Sequence, residues 1–339
     1  MNILKNSYIY LWIAAVLTVF SVLVLSIPKL NLGIDMTWGI QMEYDYTKPL
    51  DLDKLSKDLH TKKEVFVDNG KQVINNINVY SITWEKTVAV VVWFYDTSDE
   101  VKLEKLKTEF KSEVFNIIKT QDAWIIETKY INIWKSFGDY IKNTWYLTLA
   151  ISIVAIALYI TFAFSWVTSW ISVVSFWVII IISLIHDVLV SAWFYVFTSM
   201  FLPEFQIDTF FITALLTILG YSINDTIVVF DRIRSNLEKY AWKPWDKGKN
   251  LYDIINISVT DTMTRSIYTS LTIIFVLITI FLFWPDSISW FILVMIYGTL
   301  IGTYSSIFVA SPILYMVNKD KKLSVYKKVI VNPEDKIVV

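Results

Sequence analysis

Apolar and charged residues are strongly segregated along this chain of 339 residues. Uncharged runs occupy 6–28, 143–185, 266–285 and 287–318, and a helix that crosses the hydrocarbon core of a membrane needs about 20 such residues. The run at 143–185 is too long for one helix, so its interruption at Phe164–Trp170 predicts a turn between two helices. The pattern is typical of a polytopic membrane protein, as is a composition with 55% hydrophobic and 18% charged residues.

The pattern predicts an α-helical membrane protein with six spans and one domain outside the membrane. The predicted spans lie at 6–28, roughly 143–164, 171–197, 209–230, 264–283 and 290–316. The corresponding parts of the chain are 1–28 with the first span, 29–142 with the soluble domain, 143–316 with the other five spans and a loop at 231–263, and 317–339 as a tail.

The distribution of Lys and Arg predicts which side of the membrane each connection occupies. The loop 231–263 contains both, and the tail after residue 318 is rich in Lys, whereas the connections 198–208 and 284–289 contain neither Lys nor Arg. Because cytoplasmic loops carry the excess of positive charge, we expect both termini in the cytoplasm and residues 29–142 outside it. The first span lacks a cleavage site of small residues, and we interpret it as a retained signal anchor.

Residues 29–142 show the alternating and helical periodicities of a small α+β domain. Strand-like alternation covers 36–46 and 76–95, helical spacing occurs at 51–60 and 100–119, and a further strand is predicted at 122–131. This order predicts a ferredoxin-like sandwich. The chain has no cysteine, so disulfides do not contribute to this domain. His60 stands alone in a charged helix and is predicted to be a surface residue.

Apart from tyrosines, four ionisable residues fall inside the predicted spans: Asp187 with His186 beside it, Asp225, and Arg265. A carboxylate at membrane depth costs about 2.5 to 3.5 kcal/mol on insertion scales, so it marks a functional site by default. Asp225 and Arg265 are expected at similar depth and are predicted to form an ion pair. That pair either orients two helices or belongs to a path for protons, and spacing alone leaves both open. His186 either joins such a path or bonds locally, as a lone histidine more often does.

Two helices carry small or hydrogen-bonding residues along one face, which predicts close helix packing. In the span 209–230 these residues are Thr213, Thr217, Gly220 and Asn224, and in the last span they are Gly298, Gly302, Ser306 and Ala310.

Five segments together resemble the SecF family of bacterial protein-export subunits, and they extend over most of the chain. Gly220–Asn236 is similar to the family's GYS, NDT and FDRIREN signature. Gly33–Gly39, His186–Val188, Thr264–Ser270 and Gly302–Pro312 are similar to its GIDFxGG, HDV, SRTxxTS and GTYSSIFxASP segments. Ser235 stands where the family has glutamate.

The resemblance implies an architecture shared with proton-driven transporters of the RND class. It implies a proton path through Asp225 and Arg265, to which we add Asp187, with His186 and Asn224 as accessory residues and Gly220, Gly298 and Gly302 in helix packing. The implied function is to use the proton-motive force to assist polypeptide translocation. The implied partners are a SecD-like subunit, the SecYEG channel, the translocating polypeptide and membrane lipid, with no nucleic acid.

Two other functions stay open from the residues themselves: half of an RND-type transporter of small molecules, or a structural assembly factor. An enzyme is not expected, because the sequence shows no metal-ligand cluster, no phosphate-binding glycine loop and no nucleophile beside a base. No cofactor is expected either. Without a nucleotide site, energy has to come from an ion gradient or a partner.

Tryptophan is unusually frequent and glycine unusually rare. The chain has 15 Trp and 8 Gly, whereas glycine is normally about 7% of residues. Trp38, Trp177, Trp284 and Trp290 stand where the SecF pattern has glycine or a small residue. We hypothesise that many of these tryptophans are UGA codons that the source organism reads as glycine. The alternative is an aromatic belt at the membrane interfaces. UGG codons at these positions would rule out the recoding hypothesis.

Overall fold

The structure is a computed structural model that describes residues 3–26, 32–68, 71–82, 86–95, 100–165, 173–202, 205–241, 249–283 and 286–319. In chain order its elements are a 3₁₀ turn Leu4–Asn6, α1 Ser7–Leu25, α2 Ile34–Thr37, β1 Gly39–Asp45, α3 Leu52–Val65, β2 Val67–Asp68, β3 Lys71–Gln72, β4 Ile74–Ile82, β5 Thr87–Phe94, α4 Glu100–Gln121, β6 Ile126–Ile133, α5 Lys135–Ser165, α6 Val173–Ser199, α7 Thr209–Ala241, α8 Leu251–Phe283, α9 Asp286–Ser305, a π-helical segment Ser306–Ala310 and α10 Ser311–Asn318.

Within the described residues, six helical stretches are long and apolar enough to cross a membrane, which confirms the six predicted spans. They comprise α1, α5, α6, α7, α8, and α9 together with the π-helical segment and α10.

The cytoplasmic connection predicted at 231–263 is largely helical, so the prediction of a loop over that whole range was wrong. α7 continues to Ala241 and α8 begins at Leu251. The reason is packing beyond the apolar runs: Ile233 and Leu237 are buried, and Asn236 Nδ2 donates to Ser258 Oγ at 2.9 Å. An ion pair between Arg232 and Asp261, 2.7 Å long, joins the two helices at their polar ends.

The sheet domain confirms the ferredoxin-like prediction. Its four long strands pair antiparallel in the order β4-β5-β1-β6, and α3 and α4 cover one face. Alternate residues of the central strands, such as Met42 and Val90, pack with Leu59 and Phe110 of the two helices, all fully buried. The short hairpin β2–β3 is an addition that the periodicity did not reveal. His60 lies exposed on α3, as predicted.

The sheet domain is attached to the start of α7. Leu32 forms a parallel bridge with Ile207, and the Gly33 amide donates to the Ile207 carbonyl at 2.9 Å. Thr209 Oγ1 then donates to Asp35 Oδ2 at 2.7 Å. Asp208 caps α7 by accepting from the amide of Phe211 at 2.8 Å, and a Cβ on Gly33 would lie 3.0 Å from the Asp208 Cβ. The segment before β1 and the first turn of α7 are therefore held in direct contact.

Two glycines bring α9 close to α7. A Cβ on Gly298 would lie 2.2 Å from Ile218 Cδ1, and a Cβ on Gly302 would lie 3.0 Å from the Cβ of Ser222. A side chain at Gly302 would have to displace Ser222. The small-residue stripe on α9 therefore sets the distance between these helices.

Trp38 has a backbone conformation that suits glycine. Its φ is +57° and its ψ is 142°, and it is the one residue other than glycine with positive φ among those described. A side chain in this region of backbone space costs about 1 to 3 kcal/mol. The geometry agrees with the idea that glycine is natural at this position.

The backbone at Trp177 and Trp290 does not distinguish tryptophan from glycine. Trp177 is partly buried, and its indole N–H finds no acceptor among the described residues. Trp290 packs on Phe205 with ring centroids 4.1 Å apart. Trp284 lies outside the described residues. At Trp177 and Trp290 the hypothesis of recoded glycine stays a prediction.

We predict that Trp38→Gly is more stable than Trp38→Ala by about 1 to 3 kcal/mol. Both variants lose the packing of the indole, but only glycine removes the strain of a Cβ at positive φ. Thermal or chemical unfolding of the full chain in detergent measures the difference. Trp134→Gly and Trp134→Ala, at a position without positive φ, form the control pair. An alanine variant as stable as the glycine variant at position 38 would contradict the assignment.

We also predict that the junction between α2 and α7 weakens as the pH rises. Burial, with a further contribution from the Asp35 carboxylate, raises the pKa of Asp208 from its usual 3.8 to about 6. Below about pH 4 the group is neutral in both folded and unfolded chains. Between pH 4 and 6 only the unfolded chain releases the proton, so about 2 to 3 kcal/mol of stability is lost over that window.

Melting temperature measured from pH 4 to pH 7 tests this second prediction. The wild-type chain should lose stability relative to Asp208→Asn across the window, whereas Asp53→Asn, at an exposed carboxylate of α3, should run parallel to the wild type. Parallel curves for the wild type and Asp208→Asn would show that Asp208 does not titrate there.

Candidate functional site

Asp225 lies on the buried face of α7, where α8 and α9 meet it. Its side chain is 7% exposed, and its two carboxylate oxygens accept hydrogen bonds from hydroxyls of two different helices. Ser266 Oγ of α8 donates to Oδ1 at 2.6 Å, and Ser306 Oγ donates to Oδ2 at 2.8 Å. A hydroxyl can donate to a carboxylate or accept from a carboxylic acid. The site therefore accommodates Asp225 with or without a proton.

Asp187 on α6 forms a second buried carboxylate centre. It is fully buried, with Oδ2 accepting from Ser222 Oγ of α7 and from Ser305 Oγ of α9, the latter at 2.8 Å. His186 Nδ1 lies 2.9 Å from Oδ1. The other ring nitrogen of His186 is buried without a partner among the described residues. The structure thus places His186 directly on Asp187.

Consecutive residues of one helix connect the two centres. Ser305 bonds to Asp187 and Ser306 bonds to Asp225. Successive residues of a helix point about 100° apart, so neighbouring side chains can reach carboxylates on two different helices. Ser305 ends α9, and Ser306 begins the π-helical segment. Asp187 and Asp225 are therefore linked through a single peptide unit.

A third polar chain lies about one helical turn further towards the start of α7. Tyr221 OH donates to Ser270 Oγ at 2.7 Å, and the Ser270 and Thr303 hydroxyls are 2.5 Å apart. Tyr221 precedes Asp225 by one turn on α7, and Ser270 follows Ser266 by one turn on α8. Thr303 precedes Ser306 by about one turn at the end of α9. Polar contacts therefore extend along the bundle beyond the carboxylates.

The ion pair predicted between Asp225 and Arg265 is not formed. Arg265 is exposed, and the carboxylate bonds to Ser266, the next residue of α8. The reason is the rotation of α8, since a shift of one residue turns the side chain by about 100°. The buried face of α8 presents a neutral hydroxyl to Asp225, and the guanidinium lies on the outer surface of this chain.

The polar face predicted on α7 is exposed as well. Thr213, Thr217, Gly220 and Asn224 all lie on the surface, and a Cβ built on Gly220 would meet nothing within 4 Å. The expectation that this face packs against another helix is not met within this chain. Asn224 is therefore directed away from the centre that holds its neighbour Asp225.

Ser222, Ser266 and Ser305 were missed as functional residues by the sequence reasoning, and Ser306 was interpreted as a packing residue only. A usable signal was present, because each lies within or beside a segment that carried the family resemblance. Buried carboxylates require hydrogen-bond donors, and these serines supply them at both carboxylates, together with His186 at Asp187. No group of three or more His, Cys, Asp or Glu in the described parts of the chain could hold a metal ion.

Comparison with known proteins agrees with this architecture. The family model described as "Protein export membrane protein SecD/SecF, C-terminal" matches residues 113–320. The protein translocase subunit SecF of Sebaldella termitidis is 32% identical over 327 residues, which cover 95% of this chain and 93% of that protein. The protein translocase subunit SecDF of Bacillus subtilis is 29% identical over 91% of this chain, but this chain spans only 37% of it.

A solved structure of this family has the same fold as this chain. The crystal structure of SecDF from Thermus thermophilus, described as a translocon-associated membrane protein, superposes with a TM-score of 0.70 and 24% sequence identity. The match covers 94% of this chain and 39% of that one. The six apolar helical stretches and the family match define a multi-pass membrane protein of the SecD/SecF protein-export class. The chain belongs to the SecD/SecF family and is similar to its SecF subunits along nearly its whole length.

Proposed function

We propose that this chain is a SecF-type subunit that uses the proton-motive force to assist polypeptide translocation, with Asp225 and Asp187 as its proton-carrying groups. The observation that carries the proposal is the pair of buried carboxylates, bonded to hydroxyls of neighbouring helices and linked through Ser305 and Ser306. Taking up or releasing a proton at either carboxylate changes the hydrogen bonds between α6, α7, α8 and α9.

The exposed polar surface of α7 and α8 supports a SecD-like partner. Thr217, Gly220, Asn224 and Arg265 lie on the outside of this chain within the membrane-spanning region. Polar and charged side chains rarely face lipid, and they normally face other helices or a polar cavity. A second bundle that covers this surface gives Arg265 a polar environment. The existence of SecDF relatives, in which this chain corresponds to 37% of a longer protein, agrees with such a partner.

The proposed placement is the cytoplasmic membrane, with both termini in the cytoplasm and the sheet domain outside it. The charge distribution of the loops supports this orientation. In this arrangement α7 connects the extracytoplasmic junction at Asp208 to the carboxylate centre at Asp225. A change in the position of α7 would then reach the sheet domain, which acts on the exported polypeptide beside the SecYEG channel.

We predict that Asp225→Asn reduces proton-dependent export by at least about tenfold, because an amide keeps the shape and some hydrogen bonds of the side chain but cannot exchange a proton. Export into membrane vesicles, measured with and without a proton gradient, tests this. Asp225→Glu should retain part of the activity.

The matched control is Asp253→Asn, which removes an exposed carboxylate at the start of α8. It should export at the wild-type rate. Normal gradient-dependent export by Asp225→Asn would mean that Asp225 serves packing alone, which is the role expected of an assembly factor.

We also predict that a cysteine at position 217 or 220 crosslinks to a SecD-like subunit. The chain has no natural cysteine, so single substitutions report on one position each. Thr217→Cys and Gly220→Cys lie on the polar surface of α7, whereas the control Leu158→Cys lies on α5, where an apolar side chain is 55% exposed. Crosslinking in native membranes should occur at the first two positions and not at the third. Crosslinks to a second copy of this chain would contradict the proposed partner and favour a pump-like homo-oligomer.

A further inference from the structure

Ser305 and Ser306 are the only pair of adjacent residues in the described chain that hydrogen bond to two different buried carboxylates. We propose that this serine pair couples the proton affinities of Asp187 and Asp225, so that a proton on one carboxylate changes the affinity of the other by at least about tenfold, which corresponds to about 1.4 kcal/mol. This inference rests on the proposed function, in which both carboxylates exchange protons.

Each serine has two acceptors within reach, which gives the link two states. Ser306 Oγ lies 2.8 Å from Asp225 Oδ2 and 3.0 Å from the carbonyl of Thr303. Ser305 Oγ lies 2.8 Å from Asp187 Oδ2 and 3.2 Å from the carbonyl of Gly302. When a carboxylate takes up a proton, its serine can accept from the new O–H and donate its own proton to the carbonyl. The hydrogen bond that the serine donates thus switches from a carboxylate on a neighbouring helix to a carbonyl of the serine's own helix.

The backbone at this point is able to respond to such a switch. Residues Ser306–Ala310 form a π-helical segment, and Pro312 has no N–H to bond the carbonyl of Phe308. Ser311 Oγ donates to the carbonyl of Ser306, five residues earlier, at 3.0 Å. Serine bonds to carbonyls of the preceding turn bend helices, and π-helical turns are local departures from the regular hydrogen-bond pattern. When Ser306 changes its hydrogen-bond partner, we therefore expect the backbone of this helical segment to shift. Ser305 lies in the same segment.

The peptide bond between the two serines transmits this change. It is planar and rigid, so a shift of the backbone at Ser306 is carried to Ser305 and alters the direction in which Ser305 presents its hydroxyl to Asp187. The close approach of α9 to α7 at Gly302 limits other ways of absorbing the motion, because there is little free space beside Ser222. Ser305 and Ser306 act as positioning residues, since they act through the two carboxylates.

Other titratable or charged groups surround the pair on the packed elements, and they set the background against which the coupling is measured. His186 on α6 bonds to Asp187, Tyr304 on α9 lies beside His186, and Tyr304 in turn contacts the Tyr10 backbone of α1. Tyr221 on α7 lies one turn before Asp225 and bonds to Ser270, and Arg265 on α8 adjoins Ser266 but faces outwards.

The test is an infrared titration of the protonated carboxyl groups in the full chain, reconstituted in lipid vesicles. The band of Asp225 is assigned by its loss in Asp225→Asn. Introducing Asp187→Asn should shift the midpoint of the Asp225 band by at least about one pH unit. In a chain that already carries Ser306→Ala, the same Asp187→Asn change should shift it by less than half as much. Ser306→Thr, which keeps the hydroxyl, should restore the full shift.

Two controls keep the result interpretable. Ser258→Ala removes an equally buried hydroxyl from α8 without touching either carboxylate, and should leave the coupling unchanged. The reverse experiment, Asp225→Asn read at the band of Asp187, should give a shift of similar size, because coupling between two proton-binding sites is reciprocal and asparagine mimics the neutral carboxyl group.

The possible outcomes separate this inference from the proposed function. Two bands that titrate independently of each other, or a shift that survives Ser306→Ala, would overturn the coupling while leaving proton exchange intact. No titrating carboxyl band, together with normal export by Asp225→Asn, would overturn the proposed function and this inference with it.

Discussion

The structure depends on carboxylates that are buried in an apolar bundle and supplied with hydroxyl donors by neighbouring helices. A buried anion without donors is strongly destabilising, so α6, α7, α8 and α9 have to be arranged around Asp187 and Asp225. The small residues of α9 make this possible. Gly298 and Gly302 let α9 approach α7 closely enough for Ser305 and Ser306, further along the same helix, to reach both carboxylates. The close packing of α9 on α7 and the hydrogen bonding of the buried carboxylates therefore depend on each other.

The sequence allowed the elements and the acidic residues to be predicted, but not the rotation of the helices. Six apolar runs give six spans because length and hydropathy are local properties. The ferredoxin-like order followed from periodicity in the same way. Arg265 could not be placed correctly, because one residue separates it from Ser266, and the choice between them depends on which face of α8 meets α7. The hydroxyl donors were overlooked for a related reason: serine in a stripe of small residues looks like packing until a carboxylate is found opposite it.

α7 is the mechanical connection between the two halves of the molecule. It has 33 residues and begins directly after Asp208, where the sheet domain is attached through Gly33 and Asp35. Asp225 lies about 25 Å further along the same helix, from the usual rise per residue. A helix of this length moves largely as one body. Any change in how Asp225 bonds to α8 and α9 therefore has a direct route to the junction with the sheet domain, because α7 is continuous between Asp208 and Asp225.

Hydroxyl partners at Asp225, in place of an ion pair, suit the proposed use of a membrane gradient. Moving one charge across 100 mV supplies about 2.3 kcal/mol. A hydrogen bond to a charged group is worth about 1.5 to 3 kcal/mol, so exchanging one serine contact is within reach of that energy. Breaking a buried ion pair costs about 3 to 5 kcal/mol, and a carboxylate fixed by a guanidinium would be harder to switch. Hydroxyl partners hold Asp225 in place while leaving it able to change state, and they leave Arg265 on the surface that a partner subunit would cover.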